Sequence, residues 1–233
     1  RHRRCTFYPV FEVAVNSFLR FLIKLLFRVE DEELRKIPKE GPAILVSNHT
    51  TNLEGPIYYI LIQPRRATGL AKRELWGNPA TRFFMQLWGM IPISRGRPDP
   101  KAMKRALRAL GKGMFLGIAP EGTRSRGGEL QRGFPGTALL ATAKQVPIYP
   151  MVQWGMTEIV PSLKQLRKPR LTFRVGPPFL LLPRRDGRRP SLDELREMTD
   201  EMMYQLALLL PERYRGYYRD LSLKRQDYLR FLE

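Results

Sequence analysis

The chain has 233 residues, enough for one substantial domain with its own core. Its 41 Lys and Arg against 22 Asp and Glu leave a formal net charge of +19, which points to anionic partners: nucleic acid, anionic lipid or acidic protein. One cysteine, Cys5, excludes intrachain disulfides and cysteine-rich metal sites, and two histidines exclude a histidine-rich one.

The cysteine usage fits a reducing compartment. Basic residues are spread along the chain, with clusters at 1–4, 164–170 and 184–189. Neither a zinc-knuckle spacing nor an aromatic–basic RNA-binding signature accompanies them, so no nucleic-acid partner is expected. The sequence starts at Arg1 rather than Met, as expected where a short leader precedes it.

Residues 7–29 are the one candidate membrane segment, but Glu12, Arg20, Lys24 and Arg28 interrupt it. Read as a helix, Glu12, Asn16, Arg20, Lys24 and Arg28 form a polar stripe at four-residue steps. Phe11, Val15, Phe18, Leu22, Leu25 and their neighbours fill a wide apolar remainder. A cationic stripe beside a broad apolar arc suits the membrane interface, where Lys and Arg stems reach toward phosphates. The alternative is a helix packed on the domain core. The interrupting charges and the lack of a small-residue cleavage pattern argue against a secretory signal.

Beyond residue 40, strand-like and helix-like segments alternate. Strands are expected at 43–47, 67–71, 90–94, 114–119, 148–154 and 170–175, the last stopped by Gly176-Pro177-Pro178. Helices are expected at 56–62, 79–87, 101–110 and 137–144. A long final helix opens at Ser191 with Glu194 three residues on, a capping box. The alternation predicts an α/β fold: a mixed, largely parallel sheet flanked by helices, preceded by the amphipathic helix. The expected division is a membrane-associating segment over 1–30 and one further domain over 31–233.

Four strand ends carry polar groups. His49 and Glu54 stand five apart in Asn48-His49-Thr50-Thr51-Asn52-Leu53-Glu54-Gly55. On an ideal helix five residues are about 140° out of phase. The two can therefore meet only if His49 sits in the strand-to-helix turn and Glu54 at the helix start, with Pro56 early in that helix. Such a pair supplies a general base with its orienting carboxylate. The alternative is that Asn48 and His49 merely cap the helix. Next come Lys72-Arg73-Glu74-Leu75 and Gly89-Met90-Ile91-Pro92-Ile93-Ser94-Arg95, each ending a strand with a cation. The fourth is Pro120-Glu121-Gly122-Thr123-Arg124-Ser125, where a glycine lets the backbone approach a ligand and an arginine suits an anion.

In this order, and followed by Val146-Pro147-Ile148-Tyr149-Pro150, the segments resemble the glycerophospholipid acyltransferase family over roughly residues 40–155. The resemblance implies a catalytic base at His49, with Glu54 standing where the family has aspartate. It implies phosphate-holding cations at Lys72, Arg95 and Arg124, and a substrate-binding turn at Glu121, Gly122, Thr123 and Arg124. Val146–Pro150 would be structural or line an acyl channel. The implied reaction moves a fatty acyl group from acyl carrier protein or coenzyme A to a lysophosphatidic-acid-like acceptor, directly and without a metal or other cofactor. The implied setting is the cytoplasmic face of a membrane, peripheral or monotopic, among anionic lipids. The alternatives are the same chemistry on another lysolipid or glycolipid, or a non-catalytic basic binding module.

Overall fold

The computed structural model describes residues 8–94, 96, 98–125, 127–183 and 189–232, with the side chains of Tyr8 and Pro9 left aside. Helix α1 (Tyr8–Leu26) leads into strand β1 (Arg28–Glu30). Then follow β2 (Ala43–Ser47), α2 (Glu54–Leu61), β3 (Ala67–Lys72), α3 (Pro79–Leu87), β4 (Ile91–Ile93), α4 (Pro100–Leu110) and β5 (Phe115–Ile118). The chain continues through α5 (Gly136–Lys144), β6 (Ile148–Trp154), α6 (Ile159–Lys164), β7 (Arg170–Val175), β8 (Phe179–Leu181), α7 (Leu192–Leu209) and β9 (Leu229–Phe231).

Nine strands among the described residues form one sheet, in the order β1-β7-β6-β2-β5-β3-β4, with β8 and β9 attached beside β6. The β1·β7, β6·β2, β2·β5, β5·β3 and β3·β4 pairs are parallel. The β6·β7, β6·β8 and β8·β9 pairs are antiparallel. The expected mixed, largely parallel sheet is thus present.

Central strand β2 is buried along its whole length, as a parallel strand covered on both faces must be. Its residues alternate between two cores. Ile44 and Val46 join Ala102 and Ala106 of α4, Leu140 of α5 and Met202 of α7. Ala43 and Leu45 join Ile57 and Ile60 of α2, Met85 of α3, Trp88 and Ile23 of α1. Side chains two apart share a face, so α4, α5 and α7 cover one side of the sheet while α1, α2 and α3 cover the other.

Helix α1 departs from expectation in the direction of its stripe. Glu12 accepts a hydrogen bond from the Tyr59 hydroxyl (3.0 Å), and buried Asn16 accepts one from Trp88 Nε1 (3.0 Å). Arg20 Nη2 donates to the carbonyls of Ile60, Leu61 and Gln63 at 2.7, 3.0 and 2.9 Å. Carbonyls at a helix C-terminus lack intrahelical partners and carry partial negative charge, so a guanidinium suits them. Most of the stripe therefore docks inward on α2 and α3 instead of reaching for lipid phosphates. Apolar Val10, Phe11, Val13, Phe18, Phe21 and Leu25 are left exposed. Among the described residues no helix is long and apolar enough to cross a membrane. Residues 28–30, expected as a helical tail, instead form β1 inside the sheet.

Candidate active site

In an open α/β sheet the carboxyl ends of the parallel strands form the ligand edge. There β2 delivers His49, β3 delivers Lys72, β4 delivers Ser94 and β5 delivers Glu121. Asp99, the N-cap of α4, ties this edge together: it accepts from the Ala102 and Ser94 amides, both at 3.0 Å. Those amides hold its carboxyl below the usual range, with Arg73 adding to the effect.

Glu54 opens α2 and is 2% exposed. Its Oε1 receives His49 Nδ1, and the Thr50 amide reaches both oxygens at 3.0 and 2.9 Å. Oε2 also accepts from Thr50 Oγ1 (2.8 Å), the Thr51 amide (2.9 Å) and Gln153 Nε2 (2.8 Å). A buried carboxylate needs such partners, and here every donor is supplied by the turn itself or by β6. Neither Asn48 nor His49 caps the helix. The Asn48 side chain instead exchanges two hydrogen bonds with the Gln153 backbone, at 2.9 and 3.0 Å, pinning the β2 end to β6.

Glu121 is buried behind the histidine, 1% exposed. Its Oε1 accepts the His49 amide (2.8 Å) and its Oε2 the Gln131 amide (2.9 Å). The Ser125 amide donates to the His49 carbonyl (2.8 Å). The turn after β5 thus grips the His49 peptide from both ends. Burial pushes the Glu121 carboxyl up to about 7, against the two amide bonds, and the Glu54 charge adds to the rise. Gly122 adopts φ +64, a conformation that favours glycine, and a Cβ there would meet the Phe134 ring at 3.1 Å.

A cavity of about 280 Å³ opens at this edge and extends along the α2/α3 side of the sheet. His49, Glu54, Lys72 and Gly122 line it, together with apolar groups such as Leu75, Met85, Trp88, Met90 and Met103. Its floor includes Gly69 and Gly117, which pair across β3 and β5. Thr123 and Arg124 are exposed beside the mouth and are not lining residues; the Arg124 carbonyl accepts from Gln131 Nε2 (3.2 Å). Arg95 lies outside the described residues. Val146–Pro150 belongs to the entry of β6 and does not line the cavity.

The family model described as Acyltransferase matches residues 28–154. The chain belongs to the acyltransferase family. Its match begins at β1, so the sheet's edge strand lies within the family's domain. The chain is 28% identical over 167 residues to the chloroplastic 1-acyl-sn-glycerol-3-phosphate acyltransferase of Arabidopsis thaliana, covering 67% of this chain and 46% of that protein. It is 33% identical over 141 residues to the human beta form, covering 59% and 49%. With the Bacillus subtilis 1-acyl-sn-glycerol-3-phosphate acyltransferase it shares 25% identity over 203 residues, covering 86% and 96%. The chain therefore spans about half the length of the plant and human relatives and nearly all of the bacterial one. The fold matches the solved 1-acyl-sn-glycerophosphate acyltransferase PlsC of Thermotoga maritima, with TM-score 0.60 and 21% identity over 86% of this chain and 80% of that one.

Motif order within this family marked His49, Glu54 and the Glu121 turn, but not Gln153 or Thr50. The available signal was a lone amide side chain near the end of the otherwise apolar β6 sequence Ile148–Trp154, the strand that pairs directly with β2.

Proposed function

We propose that this acyltransferase moves a fatty acyl group from a thioester, carried by acyl carrier protein or coenzyme A, to the free hydroxyl of a lysophosphatidic-acid-like acceptor. The product is phosphatidic acid for phospholipid synthesis. The observation that carries the reading is the His49–Glu54 pair at the cavity mouth. With Nδ1 directed at a buried carboxylate, Nε2 is the basic nitrogen on the cavity side. Nε2 takes the acceptor hydroxyl proton as that oxygen attacks the thioester carbonyl carbon. The tetrahedral intermediate collapses, the carbon–sulfur bond breaks, and the leaving thiolate takes the proton back from the imidazolium. Glu54 stabilises the imidazolium while it exists, worth about 10²–10⁴-fold in rate together with the base itself.

In this reading Lys72 at the cavity wall and the exposed Arg124 hold the acceptor phosphate, and the resemblance to the family implies the same role for Arg95. Glu121 acts as a positioning residue in this reading, because both of its oxygens are taken by backbone amides. The apolar cavity takes the acyl chain. Helix α1 lies in the membrane interface on its exposed apolar face, with residues 31–233 carrying the chemistry on the cytoplasmic side, drawn to anionic lipid by the net charge.

The test supplies purified protein with lysophosphatidic acid and each thioester donor in mixed micelles, and reads lipid products by mass spectrometry. Phosphatidic acid should form, and His49→Ala should lower its rate at least about 10³-fold. Near-normal transfer by His49→Ala would overturn the mechanism.

A further inference from the structure

Helix α4 carries an unpaired cationic face. Lys101, Lys104, Arg105 and Arg108 are all exposed and fall within an arc of about 100°, since each residue turns the helix by about 100°. Lys112 continues the line past the helix end, and Lys144 of α5 stands beside Gly111, its Nζ 3.6 Å from where a Cβ would lie there. The sequence holds no acidic residue between Asp99 and Glu121.

Several surface cations elsewhere are paired with carboxylates. Arg170 and Arg174 face Glu30, Lys36 faces Glu33, Lys24 faces Asp31 and Arg196 faces Asp193. Among the described residues none of the six on this stripe faces a carboxylate within salt-bridge distance. Like charges at three- and four-residue spacing destabilise a helix, and Lys101 also opposes the dipole at its N-terminus. The inner face of α4, Ala102, Ala106, Ala109 and Leu110, is fully served by packing and does not call for this arrangement.

The position of α4 selects the partner. The helix covers one face of the sheet, whereas α1, with its exposed apolar side, covers the other. A membrane engaged by α1 therefore lies behind the sheet from α4, so the stripe points away from lipid. A soluble acidic macromolecule fits instead. The N-terminal end of α4 follows the β4 loop at the ligand edge, and Met103 of the same helix lines the cavity. A partner lying along α4 thus has one end beside the cavity mouth.

Resting on the acyl-transfer reading above, we infer that the outer face of α4 is the docking surface for an acidic carrier protein that presents the acyl thioester to the cavity. Complementary charge of this kind acts mainly through encounter and is weakened by salt.

The experiment uses the full chain and a palmitoyl-loaded acyl carrier protein. Binding is measured by fluorescence anisotropy across a salt series for the wild type and for Lys104→Glu/Arg105→Glu/Arg108→Glu. The corresponding triple Gln variant serves if charge reversal prevents folding. The variant should bind the carrier at least about tenfold more weakly and lose most of the salt dependence. Its KM for the carrier-borne donor should rise by the same factor. Its kcat, its KM for palmitoyl-CoA and its binding to phosphatidylglycerol vesicles should stay unchanged. Unchanged carrier binding overturns the inference. A parallel rise in KM for palmitoyl-CoA overturns it in favour of a small phosphate site, and a loss of vesicle binding overturns it in favour of a lipid-facing role. Were the wild type to bind carrier through this face yet transfer no acyl group from either donor, the acyl-transfer reading would fall and the surface would stand.

Discussion

Glu54 is one methylene longer than the aspartate of the family motif, about 1.5 Å of added reach. The structure uses that reach: one carboxylate spans from His49 Nδ1 on the β2 loop to Gln153 Nε2 on β6. Glu54→Asp should therefore lower kcat, by about 10²-fold for a displacement of this size, with KM for the lysolipid little changed. Steady-state kinetics of the purified variant check this, and a wild-type rate would show that the longer acid is incidental. Gln153→Leu removes one donor while keeping the volume, and about a tenfold loss in kcat at constant KM is expected. Glu121 makes a separate, pH-dependent contribution. Its carboxyl is raised to about 7 from 4.5, so between those values the folded protein keeps a proton that the unfolded chain has released. The unfolded state then binds fewer protons, and stability falls as pH rises through this window and levels off above it. The shift corresponds to about 3 kcal/mol. Denaturant unfolding at pH 4.5 and pH 8 should show that difference shrinking by about this amount in Glu121→Gln relative to wild type. At this scale the sequence shows which residues meet but not how. His49 and Glu54 are legible because the local turn brings them together. Gln153 and the Glu121–His49 clamp are not, because their contacts join segments about a hundred and about seventy residues apart.

Among the elements, α1 shows why a helical wheel does not by itself give orientation. The wheel separates polar from apolar positions but is silent on which side meets protein. Here Glu12, Asn16 and Arg20 find a tyrosine, a tryptophan and helix-end carbonyls, so the polar side is the docked one. Phe18 and Phe21, each more than 60% exposed, sit on the opposite side. Two substitutions separate the roles of the faces. Phe18→Glu/Phe21→Glu should abolish most sedimentation with phosphatidylglycerol vesicles while leaving the melting temperature within a degree or two, because neither ring packs on the domain. Asn16→Leu should do the reverse, keeping vesicle binding and destabilising the fold by about 1–3 kcal/mol, since it leaves the buried Trp88 N–H unpaired. Vesicle binding that survives the double Glu substitution would remove α1 from the membrane interface.

For the molecule as a whole, the long alternating segments were legible because buried parallel strands and amphipathic helices each impose a period. Three-residue strands β1, β8 and β9 carry no period, and their place is set by partners far along the chain. The cavity was not legible either, because it arises where two strands and a helix each leave space. Gly69 and Gly117, paired across β3 and β5, leave the sheet bare beneath Tyr58 of α2. A Cβ on Gly117 would stand 2.7 Å from the Tyr58 hydroxyl, closer than side chains tolerate, while the ring carbons at 3.4 Å would be in ordinary contact. Tyr58 lies four residues after Glu54 on the same helical face, so a push on the tyrosine is also a push toward the His49–Glu54 pair. Gly117→Ala should therefore destabilise the fold by about 1–3 kcal/mol and shorten the preferred acyl chain, read by melting and by competition among thioesters of different length. Tyr58→Phe removes the oxygen that the methyl meets. In the Gly117→Ala/Tyr58→Phe double variant most of the stability should return, a favourable coupling that a double-mutant cycle measures directly. If the double variant were no more stable than the sum of the two single changes, the close approach of Tyr58 to the glycine floor would not be what shapes the cavity.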